Sequence, residues 1–347
     1  MKCLFKLWFI SVLLIVGNGS LFSQTDREPL LDKLKENFKK ECFSVGMVFQ
    51  FVADGQLERS FPGRTGFSIA NMRLNISGKL DKQFGYFLQA NFINSPAILD
   101  AKGYYQFSNG LTLDAGLFKA PFSKEFLTGA DAIDFVNRSR VVSILGPGRQ
   151  IGVQARGWLS EEFPLQYSAG IFNGNGFGGN GNDNNNFMYT ARLAARPFKS
   201  NSNSGEQLEI GINGAFSKDG SESASPAVTS DRTLFGVDAR YTNEKVLLAG
   251  EFILADIDRT INDSEAGSIT PSGFHITGGY MMRPNLQLLG RLDSFKADDD
   301  FNSSEWLIFG VNYWPTRATE FQFNYTIDTD DSAFKHHQLL INAQVAF

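Results

Sequence analysis

Ser68–Leu80 reads SIANMRLNISGKL. Taken in steps of two, Ala70, Met72, Leu74, Ile76, Gly78 and Leu80 form an apolar row, and Asn71, Arg73, Asn75, Ser77 and Lys79 form a polar one. A period of two belongs to a β-strand with unlike faces, because successive side chains leave the pleat on opposite sides. The length of the run then decides the kind of strand. Strands of water-soluble domains average ~5–6 residues, whereas a tilted strand crossing a bilayer needs ~9–11. This one has about a dozen.

The pattern recurs along the chain. Phe84, Tyr86, Leu88, Ala90 and Phe92 repeat it, as do Leu208, Ile210, Ile212, Gly214 and Phe216. Later come Thr319, Phe321, Phe323, Tyr325 and Ile327, and the last row, His337, Leu339, Ile341, Ala343, Val345 and Phe347, ends the sequence on an aromatic. From Ser44 onward sixteen segments qualify as strands. Their connections tend to alternate between short (Asp81-Lys82, Asn109-Gly110, Glu161-Glu162) and long (Asp54 to Gly66, Lys119 to Pro147, Asn173 to Asn186, Lys218 to Asp231, Asp256 to Pro271). Pro197 to Glu206 breaks the alternation. Short turns on one side and long loops on the other mark an outer-membrane barrel. The expected fold is therefore all-β: a closed antiparallel transmembrane barrel of sixteen strands over residues 44–347. That number leaves an aqueous lumen, whereas eight strands would be filled by side chains.

The N-terminus supports export. Lys2 and Lys6 precede an apolar core, Leu7 to Val16, and small or polar residues follow from Gly17 to Ser23. Residues 1–23 read as a signal peptide; the apolar run is well short of the ~20 residues of a spanning helix. Residues 24–43, with Leu30, Leu31, Leu34 and Phe38 at helical spacing, read as a short helical leader on the periplasmic side. The expected location is the bacterial outer membrane, in contact with its lipid.

Several functions are excluded by what is missing. The formal charge is −5, or −7 once Lys2 and Lys6 leave with the signal, which argues against a nucleic-acid partner. Cys42 would be the sole cysteine of the mature chain, so no disulfide or multi-cysteine metal site is expected. The three histidines have no serine beside them in a nucleophile-base arrangement, and no enzyme is expected. The glycines between Gly174 and Gly181 lack a following helix and read as a flexible loop; Asp298, Asp299 and Asp300 read as a solvated acidic tip. No cofactor or metal is anticipated.

Lys119 to Pro147 is too apolar for a solvated loop. Phe122, Phe126, Ile133, Phe135, Val141 and Leu145 need burial, which folding inward against the barrel wall would provide while narrowing the pore. The same segment holds Lys124, Arg138 and Arg140 with Glu125, Asp131 and Asp134, a charge cluster able to set a field at a constriction.

The order GLFKAPFSKEFL (from Gly116), DFVNRSR (from Asp134), GPGRQIGVQARG (from Gly146), YSAGIFNGNG (from Tyr167), then DNNN (from Asp183) and AR (at Ala191-Arg192), resembles the phosphate-selective porin O and P family of Gram-negative bacteria. The resemblance covers Gly116 to Arg196. It implies a sixteen-stranded, trimeric barrel that takes up anions such as phosphate past basic pore residues, with Phe347 as the tag read by the barrel-assembly machinery. Carried over by motif, Lys124 follows PFS, Arg138 follows the acidic-aromatic stretch, and Arg149 is the arginine of PGR. Alternation independently turns Arg73, Arg156, Arg192, Arg196, Arg240 and Arg291 toward the lumen, and Asp114, Glu209, Asp238, Glu251 and Asp293 with them. Cross-strand pairing of the two sets would leave a weakly selective pore for small hydrophilic solutes; unpaired arginines would favour anions. A structural or surface-adhesive barrel is the alternative function.

Overall fold

The structure, a computed structural model, describes residues 43–56, 65–93, 97–160, 164–177, 179–198, 206–221, 228–262, 264–330 and 336–347. The expected signal peptide and helical leader up to residue 42, Cys42 and most of the irregular 197–206 connection lie outside the described residues.

Among the described residues seventeen strands run in order. The first eight are β1 (Ser44–Gln56), β2 (Gly66–Lys79), β3 (Phe84–Asn91), β4 (Ala97–Ser108), β5 (Leu111–Lys119), β6 (Arg149–Trp158), β7 (Leu165–Phe172) and β8 (Met188–Ala195). Then come β9 (Gln207–Ser221), β10 (Val228–Thr242), β11 (Val246–Ile261), β12 (Ser264–Ile269) and β13 (Ser272–Arg283). The last four are β14 (Leu286–Lys296), β15 (Ser304–Thr316), β16 (Thr319–Asp328) and β17 (His337–Ala346). Two short helices, α1 (Lys124–Leu127) and α2 (Arg140–Leu145), interrupt the series between β5 and β6.

Every pairing is antiparallel, and β17 returns to β1 with Val48 opposite Ala346 and Gln56 opposite Gln338. Met47 and Phe347 exchange backbone hydrogen bonds of 3.0 and 3.1 Å at the seam. The sheet is thereby closed, as it must be in lipid, where an open edge would strand unpaired N–H and C=O groups. Among the described residues no helix is long and apolar enough to cross a membrane. Crossing is left to the strands, of which sixteen form the wall.

The extra strand, β12, corrects the loop boundaries expected from sequence. Lys218 to Asp231 and Asp256 to Pro271 were expected as loops. Instead β9, β10 and β11 continue beyond the wall, pairing up to Ser221, Val228 and Ile261, and β12 pairs with the far end of β11. The ladder between β11 and β13 stops at Leu254–Ser272. Pro271 lies between β12 and β13 and has no N–H to donate, so one strand becomes two. Outside the bilayer neither face has to be apolar, and the row of two vanishes although the ladder does not.

Two bulges also reset the phase. Gln50 pairs with Asn71 and Phe51 with Ile69, so Ala70 is skipped and Ile69 takes the outward place that continuous alternation assigned to Ala70. In β4, Gln89 pairs with Asp100 and Ala90 with Ile98, skipping Leu99. Elsewhere the faces are as expected: Leu248, Phe252, Phe309 and Phe323 are exposed outside, while Asn213, Asn312, Gln322 and Asn342 are buried inside.

Candidate pore constriction

Residues 120–148 fold into the barrel, as the apolar content of the segment predicts. Its neck is closed by a 3.1 Å hydrogen bond from the Ala120 N–H to the Gly148 carbonyl. Ser123, held at φ 64°, starts α1 and caps it by accepting the Phe126 N–H at 3.0 Å.

Apolar contacts seat the loop. Phe122, Val141, Val142 and Leu145 pack against Ala215, Leu234, Ile253 and Ala255 of β9, β10 and β11. Phe135 packs against Leu247 and Leu289. Each large side chain so buried contributes roughly 1.5–3 kcal/mol before ordering costs. Three wall glycines form sockets: a Cβ on Gly236 would meet the Phe122 ring at 3.1 Å, one on Gly273 would meet Val141 at 3.1 Å, and one on Gly310 would meet Phe135 at 3.0 Å. Glycine leaves the space that each loop side chain fills.

Wall amides satisfy the loop backbone. Gln50, Gln322 and Gln344 each donate through Nε2 at 3.0 Å, to the carbonyls of Ala130, Ile133 and Asp131. Asn312 donates to the Asp134 carbonyl at 2.8 Å, and Asn324 accepts the Val136 N–H at 2.7 Å. A buried irregular segment needs such partners for its main chain.

Charges complete the attachment. Lys124 meets Glu209 at 3.0 Å, Glu125 meets Arg291 at 2.6 Å, Asp134 meets Arg240 at 2.6 Å and Arg140 meets Asp293 at 3.0 Å. Glu125 also accepts the Ser139 hydroxyl at 2.6 Å and its N–H at 2.9 Å. Burial pushes the Glu125 carboxyl up, but Arg291, His275 and Ser139 outweigh it and hold the group down at about 2. Arg192 binds Asp238 and, at 3.0 Å, Glu209 on the wall behind the loop.

These contacts all lie on β8–β11, β13–β17 and β1. The opposite side, β2 to β7, stays open as a space of about 550 Å³. Of the residues expected in the pore, Arg73, Arg149 and Arg156 line this space; Lys102 and Lys119 line it too. Lys124, Arg140 and Arg192 do not, being held in the ion pairs described above. Arg138 lies on the loop, donating to the carbonyls of Glu125 at 3.1 Å and Thr128 at 2.7 Å. Burial pushes its pKa down, Glu125 pulls it back and Arg149 pushes it down again.

The open side is basic. Among the described residues Arg73, Lys102, Lys119, Arg149 and Arg156 face only Asp100 and Asp131 on its surface. Arg149 pairs with Asp100 at 3.0 Å, and Arg156 and Lys102 share the buried Asp114 at 2.6 and 3.6 Å. Arg73, Lys119 and Arg138 have no carboxylate within 4 Å among the described residues. They donate instead to the neutral oxygens of Asn71 and Gln89, to carbonyls of residues 126–128, and to those of 125 and 128. Among the described residues no three His, Cys, Asp or Glu side chains are grouped to hold a metal ion.

Lys102 faces the lumen because of the bulge in β4. Alternation counted from outward Ile98 turns Asp100, Lys102 and Tyr104 outward, whereas skipping Leu99 turns them in. The docking side of the wall did leave a signal: Leu234, Leu247, Ile253, Ala255 and Leu289 are apolar residues in the lumen phase, which only an apolar loop could cover.

A closed wall of sixteen membrane-length strands, an inward loop and an open charged passage define an outer-membrane porin, a channel for passive diffusion of small hydrophilic solutes. The sequence profile of the family described as phosphate-selective porin O and P matches residues 49–228, and the chain belongs to that family. No curated protein sequence matches it. Solved structures share the fold. The anion-selective porin from Comamonas acidovorans aligns with TM-score 0.63 and 13% identity, over 88% of this chain and 99% of that one. OprB of Pseudomonas putida in its high-pH structure aligns with TM-score 0.63 and 11% identity, over 93% and 96%. The trimer form of Vibrio cholerae OmpT aligns with TM-score 0.60 and 11% identity, over 88% and 99%.

Proposed function

We propose that this porin favours anions. The observation that carries the reading is the division of charge by the loop. Glu209, Asp238 and Asp293 of the β9–β14 side are bound to loop or wall cations, and Glu251 and Glu320 are buried, accepting the Glu125 N–H and the Gln344 amide. The open side keeps Arg73 and Lys119, with Arg138 on the adjoining loop, without a carboxylate partner among the described residues. An ion crossing the passage meets that positive excess at close range, and Coulomb attraction lowers the barrier for anions and raises it for cations. The acidic total of the chain does not oppose this, because screening confines the influence of distant surface carboxylates to about a Debye length. Arg73, Lys119, Arg138, Arg149 and Arg156, with Lys102, are the residues of the proposed anion path.

A trimer, as in the form described for OmpT, and insertion by the assembly machinery through Phe347 belong to the same reading. The direct test is the reversal potential of the purified protein in a planar bilayer under a potassium chloride gradient. A potential on the chloride side supports the proposal; one on the potassium side rejects it.

A further inference from the structure

The open passage is lined by rings as well as cations. Phe87 and Tyr104, on the neighbouring strands β3 and β4, border it, with Phe118 of β5 buried beside it against Phe172. The ladder partners of Phe87 and Tyr104 are small or charged. Phe87 stands opposite Lys102 and Tyr104 opposite Gly85. A Cβ on Gly85 would collide with the Tyr104 ring, so the glycine lets that ring lie along the wall rather than across the opening. The Lys102 ammonium is 5.3 Å from the centre of the Phe118 ring, and the Arg156 guanidinium is 5.9 Å from that of Tyr104. Cation and ring alternate along one strip of wall.

We propose that this strip binds organic anions with a flat, apolar body beside an anionic head, in preference to small inorganic anions. The inference rests on the anion preference proposed above and adds the class of solute. Three considerations carry it. Aqueous lumen walls are ordinarily polar, as Ser77, Gln89, Gln154 and Ser168 are here, and rings facing water need an apolar contact to be useful. The 550 Å³ space falls among sites of ~300–1,000 Å³ that enclose drug-sized organic molecules, and a four-oxygen anion fills a minor part of it. Finally, a solute ring laid on Phe87 or Tyr104 puts its anionic head within the same strip as Lys102 and Arg156.

Two dianions with the same head separate body from charge: phenylphosphonate and methylphosphonate. Each is added to the full-length porin in a planar bilayer, and the half-blocking concentration of the chloride current is read. One aromatic contact makes phenylphosphonate the stronger blocker by roughly three- to tenfold. In the Phe87→Ser/Tyr104→Ser double variant the ratio falls toward one. A wild-type ratio within twofold overturns the inference, as does a ratio that survives in the double variant. Chloride preference with equal block removes this proposal alone; potassium preference with no block by either dianion removes the anion reading beneath it.

Discussion

Glu125 on the inward loop and Arg291 on β14 meet at 2.6 Å, across a sequence separation of 166 residues. The Arg291 side chain is 1% exposed and that of Glu125 11%. The pair ties the loop to the wall at its most enclosed point. The Arg291 guanidinium also lies 4.4 Å from the centre of the Phe135 ring, so charge and apolar seating meet in one place.

Breaking this pair should loosen the loop. Glu125→Gln leaves a buried arginine without its countercharge, a change that costs about 3–5 kcal/mol where both partners are enclosed. The expected result is a noisier and larger single-channel current. Traces indistinguishable from wild type would refute it.

The same pair sets a pH window. The folded pKa of Glu125, about 2, lies below its ordinary 4.5. Its contribution is therefore complete above about 4.5 and disappears as pH falls toward 2. The difference in current noise between wild type and Glu125→Gln should be constant from pH 7 to about 5 and close progressively below that. A difference that persists unchanged at pH 2 contradicts the assignment.

Arg73 should carry selectivity. It has no carboxylate partner within 4 Å among the described residues, so Arg73→Gln removes charge from the passage without releasing an acid. One charge acting over ~10 Å at an effective dielectric between ~20 and ~80 changes the barrier by about 0.4 to 1.7 kcal/mol for an anion and by the opposite amount for a cation, so the anion-to-cation permeability ratio should fall by roughly fourfold or more. Measured by reversal potential, the effect should shrink from 0.1 to 1 M salt as screening tightens. No change at low salt would exclude Arg73 from the path.

Arg192 should behave in the opposite manner. It binds Asp238 and Glu209 in the wall, so Arg192→Leu should lower stability toward urea by about 3–5 kcal/mol and shift the reversal potential little. Unaltered stability combined with lost anion preference would make it a pore residue after all.

The glycine sockets give a steric test. Gly310→Val drives a side chain into the place of Phe135, and Phe135→Ala empties it at about 3–5 kcal/mol. Both should raise open-channel noise, by overfilling and by underfilling one seat. If only the alanine variant does so, the socket is less tight than the contact distance indicates.

Much of this was legible in the chain. The period of two, its length in Ser68–Leu80 and the final row ending at Phe347 specify membrane-length strands and a closing edge, because burial in lipid demands one apolar face and no open end. The inward course of residues 119–147 followed from its apolar content. Local pattern failed at Ala70, where a bulge shifts the phase by one residue, and beyond Lys218 and Asp256, where strands leave the bilayer and lose the pattern.

What the sequence determined by itself is therefore the barrel: alternation is a local property, and it is written in adjacent residues. Which cations line the passage was decided only by the tertiary structure. Lys124, Arg140 and Arg192 have the same chemistry as Arg73, Lys119 and Arg156, and nothing nearby in the chain separates the two sets. The loop separates them, because its carboxylates and its apolar side chains dock on one side of the lumen. Lys124, Arg140 and Arg192 find partners from 17 to 153 residues away, while the far side stays open and basic.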